Sequence, residues 1–154
     1  LQCAAPDVIY EDPDDIRVAE FIGSPKINIL PLERNAAELT MFDQLLSTRF
    51  SIDSPKMMRL ALRPEALRLT QSAPRLTGRV MHFENLGSEV FAQVALDSDG
   101  SRVTLRAMPA QRQKLGLGAQ VGLTFNLSAA MMFDTEGARL RSAELAVIRA
   151  PEVA

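Results

Sequence analysis

The chain reads as mainly β, a small antiparallel barrel or sandwich preceded by a short α-helical lead-in. Three observations predict this. From Met57 onward apolar and polar residues mostly alternate, which is the period of a half-buried strand. The alternating runs are short and are separated by turn signals at Asp99-Gly100, Gly116-Leu117-Gly118 and Glu136-Gly137, the pattern of several strands joined by hairpins. Ahead of them, residues 12–25 carry the start and stop signals of one helix.

In that helix Asp12 is placed to cap the free N–H groups and Pro13 suits the first helical position. Asp14 and Asp15 set negative charge against the positive end of the dipole. Val18, Phe21 and Ile22 fall at i, i+3, i+4 and form the expected buried stripe. Gly23 supplies a left-handed stop and Pro25 prevents continuation. Earlier, Pro6 could open a short helical turn reaching Tyr10.

The pattern turns extended after Asn28. Ile27, Ile29 and Leu32 make a short apolar run broken by Pro31, which points to an edge strand because proline cannot donate to a ladder. Residues 35–55 read two ways. Leu39, Phe42, Leu45 and Leu46 fit helical spacing, and the same stretch fits two strands, Glu38 to Phe42 and Arg49 to Ile52. Beyond it, Met58, Leu60 and Leu62 share one face of a strand that stops at Arg63-Pro64. Val80 and His82 oppose Met81 and Phe83. Val90, Ala92, Val94 and Leu96 alternate, as do Val103, Leu105 and Ala107. Val121, Leu123, Phe125 and Leu127 give the best half-buried strand, and Ala143, Leu145 and Val147 close the series. Five or more strands at this spacing imply a small barrel or sandwich, and two copies of a small barrel could fit within residues 27–150.

Composition bounds the function. Hydrophobic residues are 47% and charged residues 23% of 154 residues, so a folded core is expected. The net charge is -2 and aromatic residues are 5%, with no Trp. That argues against nucleic acid, which calls for a basic face and stacking platforms. Arg63, Arg68, Arg75 and Arg79 are spread out and read as a solvated surface. The single cysteine, Cys3, cannot form an internal disulfide, which fits a reducing compartment. No apolar run reaches the roughly 20 residues a membrane helix needs, and no signal segment opens the chain. Leu1 in place of an initiator Met reads as a cut boundary or a processed fragment.

Catalytic motifs are sparse. No G-x-x-x-x-G-K-[ST] loop is present to cradle phosphates. His82 reads as a structural histidine, and one His with one Cys is too few for a common zinc site. No carboxylate pair is defensible as an acid/base couple. Glu84 and Glu89 bracket a Gly-containing turn, and the functional reading is a polar surface that meets a ligand or partner. Met57-Met58 and Met131-Met132 read as gap-filling pairs, one member of each turned outward in extended structure.

Several segments in order resemble a known family. Gln2 with Pro6-Asp7, Tyr10-Glu11 and Pro13 resembles the end of a nucleotide-binding domain. Val18-Ala19 with Phe21-Ile22-Gly23-Ser24-Pro25 and Asn28 resembles the junction that follows it. Arg63-Pro64-Glu65, then Glu84 with Leu86-Gly87 and Glu89, then Phe133-Asp134 with Gly137 and Arg139-Leu140 resemble later motifs of the same family. The family is the ATP-binding subunit of carbohydrate-type ABC importers, which includes the maltose and glycerol-3-phosphate importer ATPases. The sequence departs from the pattern at Ala4, Ala61 and Ile27, and Ala66 and Met131 stand where the family has histidines. Residues 35–55 match poorly, and the resemblance favours strands there.

The resemblance implies an OB-like antiparallel barrel fold of the transport-associated OB type. Residues 1–25 would be the end of the nucleotide-binding domain with its junction helix, 26–150 the regulatory domain, and 151–154 a tail. It implies a role in regulation and dimerisation, with no cofactor in this chain and with ATP and Mg in the parent protein. The expected partners are a second ATPase subunit, the transmembrane permease subunits, and a regulatory protein or small molecule. The expected location is the inner face of the cell membrane. Arg63, Glu65, Glu84, Gly87 and Glu89 form the expected ligand or partner surface. The alternative reading is an oxyanion-binding module of the molybdate-binding type, using backbone N–H groups near Gly87, Gly116 or Gly118.

Overall fold

The computed structural model describes Tyr10, residues 12–23 and residues 25–141. The expected turn from Pro6 to Tyr10, except Tyr10 itself, lies outside the described residues, as do Cys3 and the closing run Ala143 to Val147. Two compact units are present, one made of the described residues up to Leu62 and from Leu127 on, the other of Arg63–Asn126.

The lead-in helix of the first unit starts later than expected. α1 spans Ile16–Phe21, and its cap is Asp15, whose side chain accepts the Arg17 N–H at 2.8 Å. Asp12 and Asp14 are not free to wind a helix. Arg139 donates to the Asp12 carboxylate at 2.9 Å, Arg141 pairs with both Asp12 and Asp14, and the Arg139 N–H takes the Asp14 carbonyl at 3.0 Å. These bonds hold residues 12–14 outside the helix. The later start also changes the buried face. Ile16 and Ala19 enter the core with Ile27, Ala61, Met131 and Phe133, whereas Phe21, expected inside, is 85% exposed. Val18 and Ile22 are half-buried. The stop is as expected, with Gly23 at φ 111°.

β1 (Asn28–Asn35), β2 (Glu38–Met41), β3 (Gln44–Ser47), β4 (Met57–Leu62), β10 (Met131–Asp134) and β11 (Arg139–Leu140) form one antiparallel sheet ordered β11-β10-β4-β1-β2-β3. β1 is therefore internal rather than the expected edge. Pro31 is tolerated because of where β2 pairs. The Arg34 N–H donates toward the β4 side, to the Lys56 carbonyl. By alternation the Pro31 nitrogen faces the opposite flank, where the β2 ladder covers only Glu33 to Asn35. No ladder bond is lost.

Residues 35–55 form a hairpin rather than a helix, but its second strand comes earlier than Arg49. Phe42 and Asp43 turn the chain in two residues with φ of 51° and 64°. Both central residues are left-handed, the form that matches strand twist in tight hairpins. Phenylalanine is a rare occupant of that conformation, so the turn has no composition cue. In β4, Met58, Leu60 and Leu62 are buried as expected. Met57 is 51% exposed beside buried Met58, whereas Met131 and Met132 are both buried, contrary to the expected split.

The second unit is an OB-like antiparallel half-barrel. β5 (Arg68–Thr70), β6 (Leu76–Asn85), β7 (Val90–Leu96), β8 (Arg102–Ala107) and β9 (Gln120–Thr124) follow the order β5-β9-β6-β7-β8. β5 also approaches β8, curling the sheet toward closure. Val90, Ala92, Val94, Leu96, Val103, Leu105 and Ala107 are buried, as their alternation requires. In β6 the alternation fails at a bulge between Val80 and His82. The extra residue is Met81, 47% exposed, and His82 is exposed rather than a packed structural histidine. Arg63 and Arg75 also depart from the solvated reading. Arg63 is buried, and Arg75 lies over the Phe125 ring at 5.3 Å while donating to the Phe125 carbonyl at 3.1 Å.

Two outcomes are expected. At Gly78 a methyl would meet the Ala95 carbonyl oxygen at 2.3 Å, whereas at Gly116 nothing lies within 4 Å. Gly78→Ala should lose about 1–3 kcal/mol in urea unfolding, with Gly116→Ala close to unchanged. Separately, the Arg17 side chain and N–H hold the Asp15 carboxyl below its ordinary 3.8. Its stabilisation is present above that value and is lost as pH falls through the lowered one. Asp15→Ala should cost about 0.5–2 kcal/mol near neutral pH, and the gap should narrow in acid unfolding curves.

Candidate functional site

Glu84, Gly87 and Glu89 are brought together on the hairpin between β6 and β7. The strands pair as far as Asn85 and Val90, leaving residues 86–89 to turn. Asn85 Oδ1 accepts the Gly87 N–H at 3.0 Å, and the Leu86 N–H donates to the Glu89 carbonyl at 2.8 Å. Gly87 has φ 89°, a conformation that glycine adopts without penalty. Glu84 is exposed, and Leu86 is 55% exposed at the tip. The Glu89 carboxylate meets Arg106 of β8 at 3.3 Å, with both side chains about half in solvent. The hairpin thus presents an acidic rim around an apolar tip.

Arg63 and Glu65 lie on a different segment. Pro64–Ala66 is a short 3-10 helix packed against β8, with Pro64 preset for its first turn. Glu65 is exposed there, while Arg63 is only 7% exposed and serves packing more than an open surface. Two of the three glycines considered for an oxyanion have committed N–H groups, Gly87 to Asn85 and Gly118 to the Val80 carbonyl at 2.7 Å.

The opposite turn of the same unit is held by its own polar chemistry. Asp99 accepts from the Ser101 hydroxyl at 2.7 Å and the Ser101 N–H at 2.9 Å, which holds its carboxyl below the ordinary range. Gly100 follows at φ 76°.

One feature escaped the sequence reading. A cleft of ≈ 670 Å³ opens beside the ends of β5 and β9 and the 3-10 helix Pro109–Leu115. Its lining includes Thr70, Gln71, Gln111, Gln113, Lys114 and Gln120 over Leu69 and Val121. Three separated segments supply these residues, so no local motif marks them. Among the described residues no three His, Cys, Asp or Glu side chains are placed to share a metal ion, and no helix is long and apolar enough to cross a membrane.

The antiparallel half-barrel of the second unit defines the class as an OB-like domain. Residues 60–133 match the family model described as a TOBE domain, and the chain carries that domain. It is 27% identical over 141 residues to the sn-glycerol-3-phosphate import ATP-binding protein UgpC of Psychromonas ingrahamii, covering 88% of this chain and 37% of that protein. It is 31% identical over 137 residues to the Fe(3+) ions import ATP-binding protein FbpC 2 of Rhodococcus jostii, covering 86% and 38%. It is 29% identical over 150 residues to the alpha-glucoside transport ATP-binding protein AglK of Rhizobium meliloti, covering 92% and 41%. The chain thus spans about two-fifths of the length of these curated relatives. Among solved structures, the molybdate-bound form of the cytoplasmic molybdate-binding protein ModG aligns with a TM-score of 0.51 and 16% identity, over 73% of this chain and 98% of that one. That likeness confirms the OB-like fold.

The exposed Glu89–Arg106 pair should contribute little to folding. Glu89→Ala is expected to shift urea-unfolding stability by less than about 1 kcal/mol, which makes it a clean probe of partner binding.

Proposed function

We propose that this chain is the regulatory and dimerising segment of an ABC importer's ATP-binding subunit. The observation that carries this is the TOBE match over residues 60–133 together with importer ATPase relatives that align along most of the chain. Those relatives are named for the import of sn-glycerol-3-phosphate and Fe(3+) ions and the transport of alpha-glucoside, chemically different cargoes that support an importer role rather than one substrate. In this reading residues 1–25 end the nucleotide-binding domain and 26–150 form the regulatory domain. The parent binds ATP and Mg, hydrolyses ATP, docks on transmembrane permease subunits, and sits at the inner face of the membrane.

The mechanism is population shift. Contacts between two copies of the regulatory domain hold two ATPase subunits near one another. A partner protein or small molecule on that domain then biases the dimer toward its open or closed form, by no more than its difference in affinity for the two. Glu84, Gly87 and Glu89 on the β6–β7 hairpin, and separately Glu65 on the Pro64–Ala66 turn, contact the partner in this reading. The β6–β7 hairpin suits the task because its turn is fixed by its own hydrogen bonds.

The test uses the parent protein. Its natural upstream sequence should contain a phosphate-binding loop. The purified parent should release phosphate from ATP, whereas the 154-residue chain alone should release none above buffer. A parent ending before residue 26 should keep turnover but dimerise more weakly in light scattering. An upstream sequence without that loop, or dimerisation unchanged by the truncation, would overturn the proposal.

A further inference from the structure

The cleft beside β5 and β9 has a chemistry of its own. Its lining joins two apolar residues, Leu69 and Val121, to the amides of four glutamines. Two of these amides are oriented by hydrogen bonds of their own. Gln111 Oε1 accepts the Met108 N–H at 3.1 Å, which leaves the Gln111 NH2 to donate. Gln120 Nε2 donates to Asp97 Oδ2 at 2.6 Å, which leaves the Gln120 Oε1 to accept. Gln71 and Gln113 are exposed and adaptable, each with both a donor and an acceptor. Lys114 adds a cation, and the lining contains no carboxylate to neutralise it.

We propose that this cleft binds a small anionic polyol, a sugar or sugar-like chain bearing one phosphate or carboxylate. Hydroxyl groups both donate and accept, as the amides do, so a polyhydroxylated ligand satisfies a wall of glutamines where an aliphatic one does not. The lone ammonium takes the anion as a point charge. Leu69, half-buried in the lining, is the apolar contact for the C–H face of the ligand. The volume of ≈ 670 Å³ lies within the ordinary range for small-molecule sites, about 300–1,000 Å³. A nucleotide base is disfavoured because no aromatic side chain lines the cleft to stack on it. A divalent cation is disfavoured because it needs several oxygen ligands, carboxylates foremost. The proposal stands on this unit's geometry and does not depend on the importer reading.

The experiment titrates the isotope-labelled 154-residue chain with glucose 6-phosphate, gluconate, glucose and inorganic phosphate, following backbone amide resonances. Glucose 6-phosphate or gluconate should saturate shifts confined to residues 69–71, 111–114 and 119–122, and the tighter of the two names the anionic group. Glucose and inorganic phosphate should each bind at least about tenfold more weakly, since each lacks one half of the match. Lys114→Gln should weaken the anionic polyol about tenfold, and Lys56→Gln, the same charge change elsewhere, should not. No saturation up to about 10 mM, shifts centred on the Gly87 turn instead, equal binding of inorganic phosphate or of glucose, or an unaffected Lys114→Gln variant would each overturn the proposal.

Discussion

The pairing of β4 with β10 is the constraint on which the architecture rests. Ala61 stands opposite Met131 and Leu60 opposite Met132 in a continuous antiparallel register. Between these neighbours the chain leaves the sheet, builds all of Arg63–Asn126, and returns. The half-barrel is therefore an insertion whose two ends are tied by main-chain bonds of the first unit. The same strands carry the small core. Ala61 and Met131 are both in the cluster that receives Ile16 and Ala19 of α1. One ladder thus fixes the insertion points and the docking floor of the lead-in helix.

Electrostatics fixes what burial alone would leave loose. α1 is six residues long, too short to persist on propensity, and it is held at its N-terminal side. The Ile16 N–H donates to the Gly137 carbonyl at 2.8 Å, and Asp12 and Asp14 are gripped by Arg139 and Arg141. Arg139 also lies 5.7 Å from the Phe133 ring centre. Burial pulls its pKa below the ordinary value, against the opposing pull of Asp12. Gly137 is needed at φ 96°, where a side chain would press on the Ile16 methyl at 2.8 Å. The ends of the described chain are thereby joined to one another.

Much of this was legible in sequence wherever the physics is local. The alternation in β4, β7 and β8 gave both strand and buried face, and Asp99-Gly100 gave the turn between β7 and β8. The misses share a cause, which is information held elsewhere in the chain. Asp12 is a good cap in isolation and loses that role to arginines more than 120 residues away. Pro31 marks an edge until one knows how far β2 reaches. Phe42-Asp43 carries no turn signal, so β3 was placed too late. The bulge that exposes His82 follows from pairing with β7 and not from the residues of β6. The same division holds at the surface. The β6–β7 turn was visible as Glu-x-Leu-Gly-x-Glu, whereas the cleft, gathered from β5, β9 and the helix between β8 and β9, could be seen only once folded.

The placement of β3 at the end of its sheet has a consequence for how this protein behaves when crowded. Among the described residues β3 is the terminal strand of its sheet, and the segment Gln44–Ser47 contains neither lysine nor proline, the residues that discourage a neighbouring strand. Leu45 is half exposed along it. The charges of Asp43 and Arg49 flank the segment and act as gatekeepers against accretion of further molecules strand by strand. Two ionic side chains thus border the four-residue strand that ends the sheet.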